Sequence, residues 1–375
     1  MEQQLERRRE PEPVAYTRNI ELLWERLDNI TKAADKLPHV AKFDELPWSQ
    51  NAMTYWKTYT GEAGLPSRLT RLPIRTLDLR EQMIYPGGKS GKHRHYMEAL
   101  FYIMEGEGYE IHDDVKYPWE AGDLMCVPTY CVHQHFNTTD KPSRLFFTIP
   151  NVFELLGLAS IEQIEIHERY QPPPDATTLY SPSGDVIGYK TAEGKEYRFG
   201  AVDLDFLKLM EDKKGSPFTG EPKDNYEFYM KTLAEQTGWR VKVPHVVHGK
   251  DRPWEDTRMG RIKYLAHPNV PSGLLMYDAF VQEIPPGGSS GKHRHVGEEV
   301  HKILEGKGYD IHDGVRWDWK AEDVVCIPIN TTHQHFNADP KRPARFFSQQ
   351  SRLYHYAGHG GIEHLEDAPE YKPRV

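Results

Sequence analysis

Apolar positions along the chain gather into short runs broken by Gly, Pro and Asp: Ala99–Met104, Leu124–Val127 and Leu145–Ile149, then again near Val300, Val324 and Phe346. Short apolar runs separated by such turn signals predict an all-β sandwich or barrel. Two stretches break the pattern. Ile20, Leu23, Leu27 and Ile30 recur at helical spacing until Pro38 closes the segment; Tyr226, Tyr229, Leu233 and Trp239 do so less regularly. Each predicts a helix ahead of a β-rich region. Pro172-Pro-Pro174 and Ser181-Pro-Ser-Gly184, inside Gln171–Gly200, read as linker.

The pattern is written twice. Pro86-Gly-Gly-Lys-Ser-Gly-Lys-His-Arg-His95 returns as Pro286-Gly-Gly-Ser-Ser-Gly-Lys-His-Arg-His295. Glu105-Gly-Glu-Gly-Tyr-Glu-Ile-His-Asp113 returns as Glu305-Gly-Lys-Gly-Tyr-Asp-Ile-His-Asp313, and His133-Gln-His-Phe-Asn137 as His333-Gln-His-Phe-Asn337. All three recur at an offset of 200 residues, and Pro38-His39-Val40 with Pro47-Trp48 recurs at 206 as Pro244-His245-Val246 with Pro253-Trp254. Such self-similarity marks a gene duplication. The expected organisation is an N-terminal helical arm over 1–36, a first barrel over 37–170 and a linker with a helical segment over 171–240. A second barrel over 241–350 and a C-terminal tail over 351–375 complete it.

The repeated histidines carry the chemistry. His93 and His95 stand two apart in a strand-like segment, so both side chains leave one face and can meet one ion. His133, after the Pro128 turn, brings a third imidazole from a neighbouring strand. The second copy offers His293, His295 and His333, and Glu299 keeps the strand parity of His295. Ala99 occupies the place of Glu299 in the first copy, while Glu98 and its counterpart Glu298 should point out of the barrel. A three-His site and a three-His-one-Glu site are therefore expected. Neutral imidazoles with at most one carboxylate suit Fe(II), Mn(II), Ni or Zn. His135 and His335 are either second-layer or substrate acid/base groups, or plain hydrogen-bonded barrel histidines. His112 and His312 read as structural, Trp119 and Trp319 as core aromatics, and Cys126 and Cys326 as buried small hydrophobes. Cys131 has Thr331 as its counterpart and is not taken for a ligand. His355, His359 and His364 have no evident repeat partner, and a tail packed across another subunit is expected.

Composition narrows the class. The 375 residues are 38% hydrophobic and 11% aromatic, enough for two compact cores. A net charge of -9 without a basic block argues against nucleic acid as a partner. No run of about 18 apolar residues exists to cross a membrane. Met1–Glu10 is charged and lacks the apolar stretch of a secretory signal. Three cysteines make no disulfide framework, so a reduced cytoplasm is the expected location.

The motifs resemble those of cupins. The second copy spells Gly287, His293-x-His295, Glu299 and Gly306, then Pro328-x-Asn330, His333 and Asn337, with Glu322 in place of a leading Gly. The first matches at Gly87, His93, His95, Gly106, Gly122, Pro128, His133 and Asn137. The run His93-Arg-His-x-x-x-Ala-Leu100 is similar to the gentisate and salicylate 1,2-dioxygenase family of bicupins. The resemblance implies two double-stranded β-helix (jelly-roll) barrels, each preceded by a helix. It also implies a catalytic Fe(II) on His93, His95 and His133 in the first barrel, with the third ligand in the pair His133-Gln-His135, and a homo-oligomer. Two positions depart from the family: Phe101 stands where an Arg follows Ala-Leu, and the second copy keeps all its ligands.

The expected activity is cleavage of an aromatic ring by a non-haem Fe(II) dioxygenase that inserts both atoms of O2. Three histidines on an octahedral ion leave open positions for a bidentate substrate and dioxygen together. His135 would position or protonate the bound oxygen. Because Phe101 removes a cation, a hydroquinone or aminophenol is weighed beside a substituted salicylate. A Mn(II) oxalate decarboxylase- or oxidase-like bicupin, a metal-dependent isomerase or decarboxylase, and a non-catalytic binding bicupin are the alternatives.

Overall fold

Period-two patterning decides how each strand sits. Along Ala99–Glu105, Ala99, Phe101 and Ile103 join one apolar cluster while Leu100 and Tyr102 join another. A strand buried on both faces reads in sequence as an unbroken apolar run. The computed structural model describes residues 37–60, 72–74, 76–152, 161–171, 175–180, 182, 186–194, 196–198, 220–356, 358 and 361–372. The helix expected around Ile20–Ile30 lies outside the described residues.

Each half is built of two antiparallel sheets. In the first half, a seven-stranded sheet runs in spatial order Val246–Val247, Leu124–Val127, Ala99–Glu105, Ser143–Pro150, Leu77–Ile84, Tyr55–Thr58 and Ser49–Gln50. A five-stranded sheet runs Ile161–Glu165, Lys92–His95, His133–Asn137, Glu107–His112 and Val115–Glu120. The second half repeats both. Val40–Ala41, Val324–Ile327, Glu299–Glu305, Ala344–Ser351, Tyr277–Ile284, Gly260–Ala266 and Glu255–Thr257 form its larger sheet. The expected pair of cupin barrels is what the chain forms.

The larger sheets meet across one shared core. Leu79, Leu100, Leu124 and Phe146 cluster with Ala279, Val281, Val300 and Phe347 of the other half, and Tyr102 stacks on Phe347 at 4.4 Å between ring centroids. Each half also reaches into the other. Val246 and Val247 pair with Met125 and Leu124, and Val40 and Ala41 pair with Val325 and Val324. The segment ahead of each barrel thus completes the opposite one. Glu98 does point outward, and lands on the other half: it accepts from the backbone N–H groups of Leu275 (2.9 Å) and Met276 (2.6 Å). Glu298 accepts reciprocally from Thr76 N (2.8 Å) and Oγ1 (2.6 Å).

The second expected helix is present as Asn225–Lys242, capped by the Asp224 side chain on Glu227 N. Thr177–Tyr180, Val186–Lys190 and Glu196–Arg198 form a small sheet within the stretch read as linker. The tail corrects an expectation. Ile362–Glu366 pairs with Lys292–His295 of its own chain, as Ile161–Glu165 pairs with Lys92–His95. His364 sits where Gln163 sits, each opposite the first histidine of its pair. The signal was in the sequence: Ile161-Glu-Gln-Ile-Glu165 returns as Ile362-Glu-His-Leu-Glu366.

Candidate metal centres

Strand pairing brings the histidines together. His133 is the direct partner of His93 across two antiparallel strands, and His333 of His293. His95 and His295 follow on the same faces, so three imidazoles converge inside each barrel, all at most 4% exposed. In each of two groups, His93, His95 and His133, and His293, His295, Glu299 and His333, the ligand-type atoms lie within 4.8 Å of one another.

The backbone sets the tautomers. Nδ1 of His93 lies 3.1 Å from the Gly91 carbonyl, that of His95 2.5 Å from Met97 O, and that of His133 3.0 Å from Cys131 O. A carbonyl only accepts, so Nδ1 carries the proton and Nε2 is left with its lone pair toward the site. His333 is fixed in the same way on Thr331 (2.8 Å), and His293 more loosely on Gly291 (3.4 Å), whereas His295 Nδ1 lies between the Gly297 carbonyl (2.7 Å) and the Gln350 side-chain amide nitrogen (2.8 Å). Burial reinforces neutrality. It lowers His93 to about 4 and His95 to about 3, and holds His133 well below its ordinary value, with its histidine neighbours adding to the effect.

These donor sets fit a divalent cation. The Nε2 atoms of His95, His133, His293 and His333 are buried without a hydrogen-bond partner. In the second barrel the lone pair of His295 Nε2 faces Glu299 Oε2 at 2.7 Å. Two acceptors so close call for a positive charge between them. Ligands at right angles on bonds of about 2.1 Å lie about 3 Å apart, close to this spacing. Burial opposes the charge on Glu299, but the imidazoles of His295 and His301 beside it outweigh burial and keep the carboxyl well below the usual carboxylate range.

Behind each trio runs a histidine–acid chain that spans the two halves. His135 Nδ1 bonds the Glu110 carboxylate, whose other oxygen lies 3.1 Å from His112 Nε2; His112 Nδ1 lies 2.7 Å from His245 Nδ1. In the second barrel His335 meets Asp310 (2.9 Å), Asp310 meets His312 (3.4 Å), and His312 meets His39 (2.7 Å). His112 and His312 therefore do tie structure together, with segments of the opposite half. The acids escaped the sequence reading, although Tyr109-Glu-Ile-His112 and Tyr309-Asp-Ile-His312 place one in both copies. His301, Asp310 and His335 form a third close group, and Phe101 stands in place of His301 in the first barrel.

The trios open differently. A pocket of about 190 Å³ beside His93 and His95 is lined by Met53, Trp56, Met97, Phe147 and Ile149, with Arg80 at its wall. Arg80 bonds Asp78 at 2.5 Å, yet its Nε is buried without a partner. Sequence reading missed Arg80, because it lies on the strand Leu77–Ile84, outside every repeated motif. A pocket of about 160 Å³ beside His295 is lined by Gln350, Tyr354, His355 and Ile362. Cys131 belongs to neither ligand group.

Comparison with known proteins agrees with this architecture. The cupin domain family matches residues 80–149 and 280–349. Gentisate 1,2-dioxygenase 1 of Aquipseudomonas alcaligenes is 22% identical over 275 residues, 72% of this chain and 69% of that protein. The fold is similar to that of salicylate 1,2-dioxygenase from Pseudoaminobacter salicylatoxidans, solved as adducts with gentisate. There the TM-score is 0.56 at 16% identity, over 95% of this chain and 94% of that one. It is also similar to oxalate decarboxylase of Bacillus subtilis, at TM-score 0.54 and 14% identity over 87% and 79% of the two chains. Two cupin domains in one chain define a bicupin. Among bicupins, the chain is similar to gentisate and salicylate 1,2-dioxygenases. Among the described residues no helix is long and apolar enough to cross a membrane.

Proposed function

We propose that the protein is a non-haem Fe(II) dioxygenase that cleaves an aromatic ring with O2 from its first barrel. The observation that carries this is three neutral imidazoles, aimed by backbone carbonyls, two of which, His93 and His95, line a ring-sized and largely apolar pocket. His93, His95 and His133 would hold the metal. When bound there, Fe(II) supplies open positions on which a ring hydroxyl and dioxygen meet. The rest falls to the chain. Met53, Trp56, Met97, Phe147 and Ile149 bind the ring and exclude water. Arg80 Nε donates to an acidic substituent on the ring, so a carboxylated phenol is admitted even though Phe101 offers no charge. His135, its Nδ1 on Glu110 and its Nε2 without a partner, is the residue for proton exchange at the site. Ala99 keeps the fourth protein ligand away. In the second barrel His293, His295, Glu299 and His333 would hold a second metal, with His335 on Asp310 as its proton-exchanging group.

A second reading rests on that four-ligand set: a Mn(II) centre acting on oxalate, supported by the likeness in fold to oxalate decarboxylase. One experiment separates the two. Metal content of anaerobically purified protein is measured beside oxygen uptake with gentisate, salicylates, 1-hydroxy-2-naphthoate, hydroquinone and oxalate. Iron with uptake on a phenolic ring supports the dioxygenase. Manganese with carbon dioxide from oxalate, and no uptake on any ring, would sink it. A cytoplasmic homo-oligomer is part of the same reading, and sedimentation of the purified protein tests the assembly.

A further inference from the structure

The two halves meet along two grooves related by the duplication, and only one is filled. Lys57 Nζ donates to Phe43 O (2.8 Å), and Lys263 Nζ to Gly249 O (3.0 Å). Phe43 N donates to Asp323 (3.2 Å), and Gly249 N to Asp123 (3.0 Å). Gly249 is therefore the counterpart of Phe43. On the filled side the Phe43 ring is surrounded by cations: Lys57 Nζ lies 3.6 Å from its centroid, Lys302 Nζ 4.9 Å and Arg144 Cζ 5.1 Å. Carboxylates balance them. Lys302 bonds Glu81 (2.9 Å) and Glu322 (3.1 Å), and Arg144 bonds Glu81 and Glu322 (2.5 Å each).

The opposite groove has lost the plug and the carboxylates at the positions that correspond to Glu81 and Glu322. Gly249 replaces Phe43, Val281 replaces Glu81, Gly122 replaces Glu322 and Tyr102 replaces Lys302. A hollow of about 490 Å³ is left, walled by Tyr102, Trp254, Val281, Lys263 and Arg345. Glu105, Glu305 and Glu322 also wall it, each paired with Arg144 or Arg345. Arg345 is matched by Glu283 (2.6 Å) and Glu305 (2.8 Å). Lys263 has no carboxylate beside it among the described residues: its Nζ donates to the Gly249 carbonyl and lies 5.0 Å from the centroid of the Trp254 ring. Burial first, then Arg345 and Arg261 facing it, push its ammonium below the ordinary lysine value. Lys57, also lowered chiefly by burial, has Glu81 and Asp44 pulling the other way. A carboxylate on Lys263 is what the open groove lacks, and a benzene ring is what its twin holds.

We infer that this groove is a second ligand site, separate from both histidine trios, for a small aromatic carboxylate. Its ring lies between Tyr102, Val281 and Trp254, and its carboxylate accepts from Lys263 Nζ.

Benzoate is the probe, titrated calorimetrically into the metal-loaded full chain, into Lys263→Gln, and into a His93→Ala/His293→Ala double variant. The expected result is a benzoate site that survives in the double variant, with Lys263→Gln weakening it about tenfold or more, the loss of one charged hydrogen bond. Benzyl alcohol, which keeps the ring without the charge, is expected to bind about tenfold more weakly than benzoate. Unchanged affinity in Lys263→Gln would overturn the inference. So would loss of all benzoate binding in the double variant, a result that leaves the dioxygenase reading standing. Should Lys263→Gln fail to fold, wild-type crystals with 4-bromobenzoate decide. Anomalous bromine signal between Trp254 and Lys263 supports the site, and its absence there overturns it.

Discussion

Inside the first barrel the wall beside the imidazoles is Ala99, Phe101 and Phe147; inside the second it is Glu299, His301 and Ser348, at the corresponding strand positions. The first set packs: Phe101 and Phe147 lie 4.7 Å apart between centroids. The second set bonds: Glu299 accepts from His301 at 3.1 Å and from the Ser348 hydroxyl. The three changes travel together because none works alone. A carboxylate at position 99 would be buried against two phenyl rings, and a phenyl at 301 would strip Glu299 of a donor. Charge follows the wall. One buried acid, Glu110, stands behind the first trio, whereas Glu299 and Asp310 share the second. A divalent ion would leave the first interior one unit more positive, and so better suited to a phenolate or carboxylate ligand. One imidazole frame thus supports two electrostatic environments.

The sharpest way to break this comparison is to remove one trio at a time. His93→Ala should abolish ring-dependent oxygen uptake, by about a thousandfold or more, beyond the 10–100-fold typical when only an outer partner of a ligand is lost. His293→Ala should take one metal per chain and leave most of the uptake. Steady-state rates beside metal content report both; uptake lost only in His293→Ala would move catalysis to the second barrel. Next in size is Glu299→Gln. Its amide cannot supply the charge that faces His295 Nε2, so metal affinity at the second site should fall about 10–100-fold, read by competition with a chelator. Equal loss from both barrels would mean that the walls are coupled rather than independent.

Much of this contrast was legible in the sequence. His-x-His on a strand, doubled at one offset, gives the trios, because side-chain parity leaves no freedom about which face they share. Ala99 against Glu299 gave the difference in ligand count. Phe147 against Ser348 was not legible, since a wall depends on which distant strand lies alongside, and the strand Ser143–Pro150 carries no motif. The crossing of His39 and His245 into opposite barrels was hidden for a similar reason. Pro-His-Val recurs in both copies, but a repeat does not say which barrel it completes. The tail shows the limit of motif reading: five residues of likeness, without a histidine pair, went unnoticed.

Arg80 tests the substrate side of the comparison. The second barrel has Phe280 at its position, so a carboxylate-selective pocket should exist in one barrel only. Arg80→Met should raise KM about tenfold for a carboxylated ring, a modest loss for a charged hydrogen bond because Asp78 already takes part of the guanidinium. Hydroquinone, which has no carboxylate, should be unaffected. A parallel loss for both substrates would reduce Arg80 to a packing residue.

The smallest effect expected concerns acid. Protons and metal compete for the same Nε2 lone pairs. An ordinary imidazole, half protonated near 6.5, would begin to release metal below neutrality. Burial instead brings His93 to about 4 and His95 to about 3, with His133 lower than its ordinary value too. A lowered value means the neutral, metal-binding form persists as pH falls, so competition starts only as pH approaches 4. Dialysis at pH 5 should therefore remove less than about half of the metal from the first barrel. The second should lose still less, because Glu299 remains ionised there and adds its charge. Metal content across pH 7.5 to 4 measures this, and a release centred near 6.5 in either barrel would show its imidazoles to be open to water rather than held neutral by the wall around them.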